Sequence, residues 1–160
     1  MLSIPNVFTQ GAMKALVQAQ ISAASMGHEK MGTGHLLCGL CRVGDELTRC
    51  ILGDLVPSEI EEEVLAHYGR GDVGFSRITG LTPHAQRTLL RAISYANPDK
   101  KTLAGVAHIW QELLYEEGCT ALEVLSILGR SVDSMRTALQ NAVGEIERPI
   151  QAKHIASSSE

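Results

Sequence analysis

At 160 residues the chain suits one domain, or two small halves that share a core. Its 44% hydrophobic and 20% charged content is that of an ordinary globular protein, and its net charge is −4. Neither half (6 basic and 9 acidic residues in positions 1–80, 8 and 9 in positions 81–160) offers the electropositive face that nucleic acid requires, and no apolar run approaches the ~20 residues of a membrane span.

The N-terminal Met1-Leu2-Ser3-Ile4-Pro5-Asn6 lacks the basic and apolar regions of a secretory signal. Thr9 is a suitable N-cap for a first helix, with Phe8 before it able to staple onto Met13. Ala12, Leu16, Ala19 and Ala23 then recur at helical spacing until Gly27 stops the run. Thr33 is expected to cap a second helix carrying Leu36, Leu37 and Leu40. A short third helix is expected over Glu46 to Leu52, and Pro57 suits the first turn of a fourth that runs to Tyr68 before Gly69. Four glycines between Gly69 and Gly80 read as a linker. Leu81-Thr82-Pro83 opens a fifth helix that Asn97-Pro98 ends. Helices near Val106–Glu117, Thr120–Leu128 and Asp133–Ile146 follow, and a tail from Pro149 ends in Ser157-Ser158-Ser159 without periodicity. Scarce aromatics beside abundant Ala and Leu favour helix over strand throughout.

The chain repeats itself. Laying Phe8–Cys41 over Leu81–Leu114, without a gap, brings identities at Thr9/Thr82, Ala12/Ala85, Leu16/Leu89, Ala19/Ala92, Ala23/Ala96, Gly32/Gly105, His35/His108 and Leu40/Leu113. Chance would give roughly two, so the eight indicate duplication. Past a two-residue insertion, Ile60 pairs with Met135 and Val64 with Leu139. The fold class expected is all-α: two pseudo-twofold-related four-helix repeats packed as one eight-helix bundle, since neither unit covers its own core easily. The domain would occupy residues 1–148, with repeat one at about 8–68, linker 69–80, repeat two at about 81–146 and a flexible tail over 149–160.

The segment Gly32-Thr33-Gly34-His35-Leu36-Leu37-Cys38-Gly39-Leu40-Cys41-Arg42-Val43-Gly44 is similar to the Gly-Thr-Glu-His-Leu-Leu-Leu-Gly-Leu-Leu-Arg-Glu-Gly signature of Clp (Hsp100, ClpC/ClpA-like) ATPase N-terminal repeats. Gly105-Val106-Ala107-His108-Ile109-Trp110-Gln111-Glu112-Leu113-Leu114-Tyr115-Glu116-Glu117-Gly118 resembles a worn copy of it. Phe8-Thr9 and Leu81-Thr82-Pro83 resemble the openings of the two family repeats, and Leu128-Gly129-Arg130-Ser131-Val132-Asp133-Ser134-Met135-Arg136 the start of the last helix. The resemblance implies an eight-helix domain that docks substrates and adaptor proteins before an unfolding ATPase. In some family members it also implies recognition of phosphorylated arginine, the phosphate held at a first-helix start and the guanidinium paired with the signature Glu. Thr9 and Thr82 remain here, but Gly34 and Ala107 stand where that Glu belongs, so phosphoarginine binding is expected to be weak or absent. No Walker A pattern occurs, so the chain is read as a fragment of a longer ATPase or a stand-alone domain protein regulating one.

Cys38-Gly39-Leu40-Cys41 invites a redox or metal reading, with Cys50 or a histidine as further ligand. The pair lies late in a helix at positions where the family pattern has Leu, and buried apolar cysteines are the simpler account. His35 and His108 read as matched structural hydrogen bonds, while His28, His67, His84 and His154 have no evident companions. Glu59, Glu61, Glu62 and Glu63 form a solvated helix opening, Lys100-Lys101 a loop pair, and Trp110 a core or cleft-wall residue. The functional expectation is a non-catalytic module without cofactor or metal, in a reducing cytosol. It would grip protein substrates, adaptors or a Clp ATPase around Phe8, Thr9, Leu81, Thr82 and Gln86, with no nucleic acid and no membrane. The alternative is a small thiol or metal-dependent enzyme using Cys38 and Cys41.

Overall fold

The computed structural model describes residues 3–71, 78–96 and 102–143. Eight helices follow in order: α1 (Gln10–Ser25), α2 (Thr33–Val43), α3 (Glu46–Leu52), α4 (Pro57–Tyr68), α5 (Pro83–Ala96), α6 (Val106–Leu114), α7 (Thr120–Ile127) and α8 (Val132–Val143). Local chemistry sets many of these limits. Thr9 caps α1, its hydroxyl accepting from the Ala12 N–H at 3.2 Å, and Asp45 does the same for α3 through the Thr48 N–H at 2.9 Å. Glu59 reaches back to the Val56 N–H at 3.0 Å, so one of the four acids of α4 closes its first turn. Pro57 occupies the first position of that helix, as expected.

Two expectations need correction. Thr33 does not cap α2; Gly32 does, and the Thr33 hydroxyl instead accepts from the Ala121 N–H of α7 at 3.2 Å. The sixth helix ends at Leu114 rather than near Glu117. There the Arg136 guanidinium of α8 donates to the Leu114 carbonyl at 2.6 and 3.0 Å, and the chain turns so that Glu116 points inward. A two-residue parallel pairing, β1 (Lys30–Met31) with β2 (Gly80–Leu81), joins the otherwise helical elements; two residues are too few to leave an alternating pattern in the sequence. The expected stop at Asn97-Pro98, the end at Ile146, the tail and Lys100-Lys101 lie outside the described residues, as does the middle of the linker.

The two repeats interlock. Met31 pairs with Leu81, and Phe8 bridges Ala104 in parallel; adding 73 to Phe8 and Met31 gives Leu81 and Ala104, so the two pairings are one contact seen twice. The Thr82 N–H donates to the Met31 carbonyl at 3.0 Å and the Thr9 N–H to the Ala104 carbonyl at 2.8 Å, again as equivalents. Farther out, α3 packs on α8 and α7 packs on α4, so each third helix rests on the other repeat's fourth. Such reciprocal contacts are what a twofold-type arrangement produces. The buried residues of α4 are Ile60 and Val64, and those of α8 are Met135 and Leu139, the pairs that the repeat alignment brings together. One core results, with Leu36, Leu37 and Leu40 of α2 and Ile109, Trp110, Leu113 and Leu114 of its repeat equivalent α6 all 2% exposed or less. Trp110 is core: fully buried, it donates from Nε1 to the Thr48 hydroxyl at 2.9 Å across the repeat boundary.

Candidate binding cleft between the first helices

The reciprocal pairing brings each first-helix start against the other repeat's signature segment. Thr9 lies beside Gly105, whose Cβ position would be 3.6 Å from the Thr9 side chain, and Thr82 lies beside Gly32 at 3.3 Å. Any ligand site built from a first helix and a signature is therefore shared between repeats, a fact that sequence spacing alone does not reveal.

Between α1 and α5 opens a cleft of about 190 Å³. Ile4, Phe8, Leu16, Met31, Leu81 and Ile93 form its apolar walls, while Gln20 and Gln86 supply amides. Of the five expected site residues, the cleft gathers Phe8, Leu81 and Gln86. Phe8 is only 3% exposed and serves as floor, whereas Gln86 and Leu90 stand on the rim, Leu90 being 57% exposed. Thr9 and Thr82 do not line it; both are occupied as helix caps. Sequence reasoning missed Leu90 and Ile93, which follow Gln86 at helical spacing, and the wall that Ser3, Ile4 and Pro5 provide.

Beside the cleft, Glu116 is buried at 3% exposure and takes three partners from α5. His84 Nδ1 lies 2.5 Å from Oε2, Arg87 Nε donates to Oε2 at 2.8 Å, and Arg91 Nη1 donates to Oε1 at 3.2 Å. Burial alone would push this carboxyl up, but the hydrogen bonds of His84 and Arg87 and the charges of Arg87 and Arg91 outweigh it. The acid is held below its usual range. His84 thus has a companion that the sequence hides 32 positions away.

The signature histidines behave as matched supports. The Gly32 N–H donates to His35 Nδ1 at 2.9 Å and the Gly105 N–H to His108 Nδ1 at 3.1 Å. His35 must then carry its proton on Nε2, which lies 3.0 Å from His28 Nδ1, and His28 Nε2 faces the Gly69 carbonyl at 2.5 Å. Tyr68 stacks on His35 with ring centroids 5.0 Å apart. Burial, and then the neighbouring His28, push the His35 imidazole down to about 3; burial also lowers His108. His28 and His67 therefore have companions too, the latter in Glu123 at 3.3 Å, while His154 lies outside the described residues.

At Gly34 a restored signature acid would be crowded, so its place is tighter as well as uncharged. A Cβ there would lie 3.1 Å from both the Tyr68 ring and a Val64 methyl. The Tyr68 hydroxyl sits 3.4 Å from the Gly34 N–H, over the start of α2.

Cys38 and Cys41 are both buried on α2. Desolvation first, and the nearby Glu61 second, push the Cys38 thiol up to about 12 and the Cys41 thiol up to about 11. A nucleophilic thiol needs the opposite shift, because the thiolate is the reactive form. Cys50 is exposed and Cys119 buried, and the described residues contain no group of three or more His, Cys, Asp or Glu side chains arranged to hold a metal.

These features define a class: an all-α domain of two interlocked four-helix repeats with a small apolar cleft where the repeats meet. Searched against family models, the chain matches none. It is 32% identical over 142 residues to the negative regulator of genetic competence ClpC/MecB of Bacillus subtilis, covering 88% of this chain and 17% of that protein. It is also 32% identical over 142 residues to the chaperone protein ClpB of Oceanobacillus iheyensis, with the same coverage. The crystal structure of the ClpD N-terminal domain from Arabidopsis thaliana superposes with a TM-score of 0.71 at 22% identity, over 88% of this chain and 99% of that one. The Hsp104 N-terminal domain from Candida albicans gives 0.68 at 18% identity, over 86% and 91%. By sequence and fold the chain is a Clp N-terminal repeat domain, and it spans about a sixth of the length of the curated relatives it matches.

Proposed function

We propose that this domain is a non-catalytic docking module, recruiting protein substrates or adaptors to a Clp-type unfoldase or regulating one. The observation that carries this reading is the apolar cleft between α1 and α5, floored by Phe8 and rimmed by Leu81, Gln86 and Leu90. Leu90, 57% exposed on the rim, extends the apolar walls of the cleft onto the surface, and a contiguous apolar patch of this kind, unlike a single exposed side chain, marks a place for a partner. The cleft's position where the repeats meet, in a domain several of whose relatives are named as Clp chaperone proteins, supports the same role. The raised thiol pKa values of Cys38 and Cys41 weigh against the thiol-enzyme alternative.

Surface plasmon resonance against a permanently unfolded protein, such as reduced and carboxymethylated lactalbumin, tests the reading. Saturable binding is expected, weakened about tenfold by Leu90→Ser, the equivalent of ~1.4 kcal/mol of lost apolar contact. No binding, or binding indifferent to that change, overturns it.

Phosphoarginine is not the ligand of this surface. The Gly34 side has no acid, and Tyr68 and Val64 crowd the place where one would start, while the Ala107 side offers no counter-charge. Calorimetric titration with free phosphoarginine is expected to give no saturable heat; a micromolar Kd would contradict this.

A further inference from the structure

The α5 face beside the cleft carries charge that the docking reading alone does not use. This helix holds two arginines and no acid, on a chain whose net charge is −4. Arg87, Leu90 and Arg91 share one face by helical spacing. Together with Pro83, Gln86 and Ser94 they line a surface hollow of about 510 Å³, and Gln86 and Leu90 belong to both hollow and cleft, so the two are continuous.

Glu116 offsets one unit of the two guanidinium charges, leaving a positive excess. It also fixes both side chains from beneath, through Arg87 Nε and Arg91 Nη1. The arginine side chains remain 46% and 45% exposed; besides Glu116, Arg87 reaches His84 Nδ1 through Nη2 at 3.2 Å, and the five N–H donors of each guanidinium outnumber these contacts. Charged groups already held in position lose little freedom when a ligand arrives.

We propose that this face docks a peptide segment in which carboxylates flank an apolar side chain: the apolar group enters the cleft, and a carboxylate meets Arg87 and Arg91. The assignment rests on the docking reading and adds the chemical class of its ligand. Charge complementarity selects the occupant. A long polyanion, whether nucleic acid or an anionic membrane, would meet the overall negative charge, whereas a short acidic segment fits within a local positive field that extends about 8 Å at physiological salt.

Fluorescence anisotropy with three labelled peptides tests it: each carries a leucine pair, flanked by Asp, Asn or Lys. In 50 mM salt the Asp peptide is expected to bind at least tenfold tighter than the Asn peptide, with the Lys peptide weakest, and the advantage is expected to shrink at 300 mM salt. Arg91→Gln should remove most of that advantage. Ser94→Glu, an exposed change that sets a carboxylate one turn from Arg91 while keeping both arginines, should do likewise and decides the matter if the arginine variant folds poorly. Equal affinities for the Asp and Asn peptides overturn the acidic specificity and leave the docking reading standing. A preference for Asp that survives both variants overturns the placement on α5. Binding of none of the three removes the docking reading and this inference together.

Discussion

At Gly39 the crossing of α1 and α2 leaves no room for a side chain: a Cβ would run into the Ala15 carbonyl oxygen and lie 2.7 Å from the Ala19 nitrogen. Backbone cannot swing aside as a flexible side chain can, so Gly39→Ala is expected to destabilise the domain by ~1–3 kcal/mol in urea unfolding. An unchanged midpoint would contradict that packing. His35 makes a second prediction at this scale. Its folded pKa of about 3 lies below the ~6.5 of an unfolded chain, so the folded protein refuses a proton that the unfolded chain accepts. The associated stability is present in full above pH 6.5 and falls as pH drops towards 3, by up to ~1.4 kcal/mol per pH unit. Between pH 6.5 and 5 the native protein should lose ~2 kcal/mol more than His35→Gln does; equal losses would rule the linkage out. The paired supports at His35 and His108 were legible because the repeat alignment matches the two residues. The contacts of His28 with His35 and of His84 with Glu116 were not, since nothing in local spacing marks which distant group a histidine meets.

Among the elements, α3 and α4 match their sequence-based limits because their punctuation is strong: Gly44 and Asp45 before one, Pro57 before and Gly69 after the other. The sixth helix was read too long because its stop comes from elsewhere in the fold. Arg136 caps Leu114, and Glu116 leaves the helical path to meet α5. Glu116→Gln should therefore loosen the joint between α5 and the turn after α6. The carboxylate is buried, but its arginine partners are nearly half exposed and screened, so the loss expected in thermal unfolding is ~1–2 kcal/mol, below that of a fully buried pair. The α2 cysteines give a separate test. With Cys38, Cys41 and Cys119 buried and Cys50 exposed, a thiol reagent should modify one thiol quickly in the native protein and the other three only on unfolding. Rapid modification of Cys38 or Cys41 would mean that α2 is not packed as described.

For the whole molecule, the duplication decides the architecture. Matching Phe8 with Leu81 and Met31 with Ala104 turns two separate strand-like contacts into one repeated joint, and the exchange of α3 and α7 onto the opposite fourth helices closes a single core. The sequence carried the helices, their order and the twofold kinship, because apolar spacing and repeated residues are local signals. It did not carry the exchange itself, or the fact that each first-helix start is completed by the other repeat, because these depend on how two similar faces settle against each other. That exchange places both first helices around one apolar cleft, and the central claim is that the cleft is where the domain grips its partners. Hydrogen–deuterium exchange with and without the unfolded reporter tests this most directly. Protection is expected across residues 3–9 and 81–93, the cleft and the α5 face. Protection confined to a separate hollow lined by residues of Cys41–Pro57, which shares no lining residue with the cleft, or no protection anywhere, would contradict it.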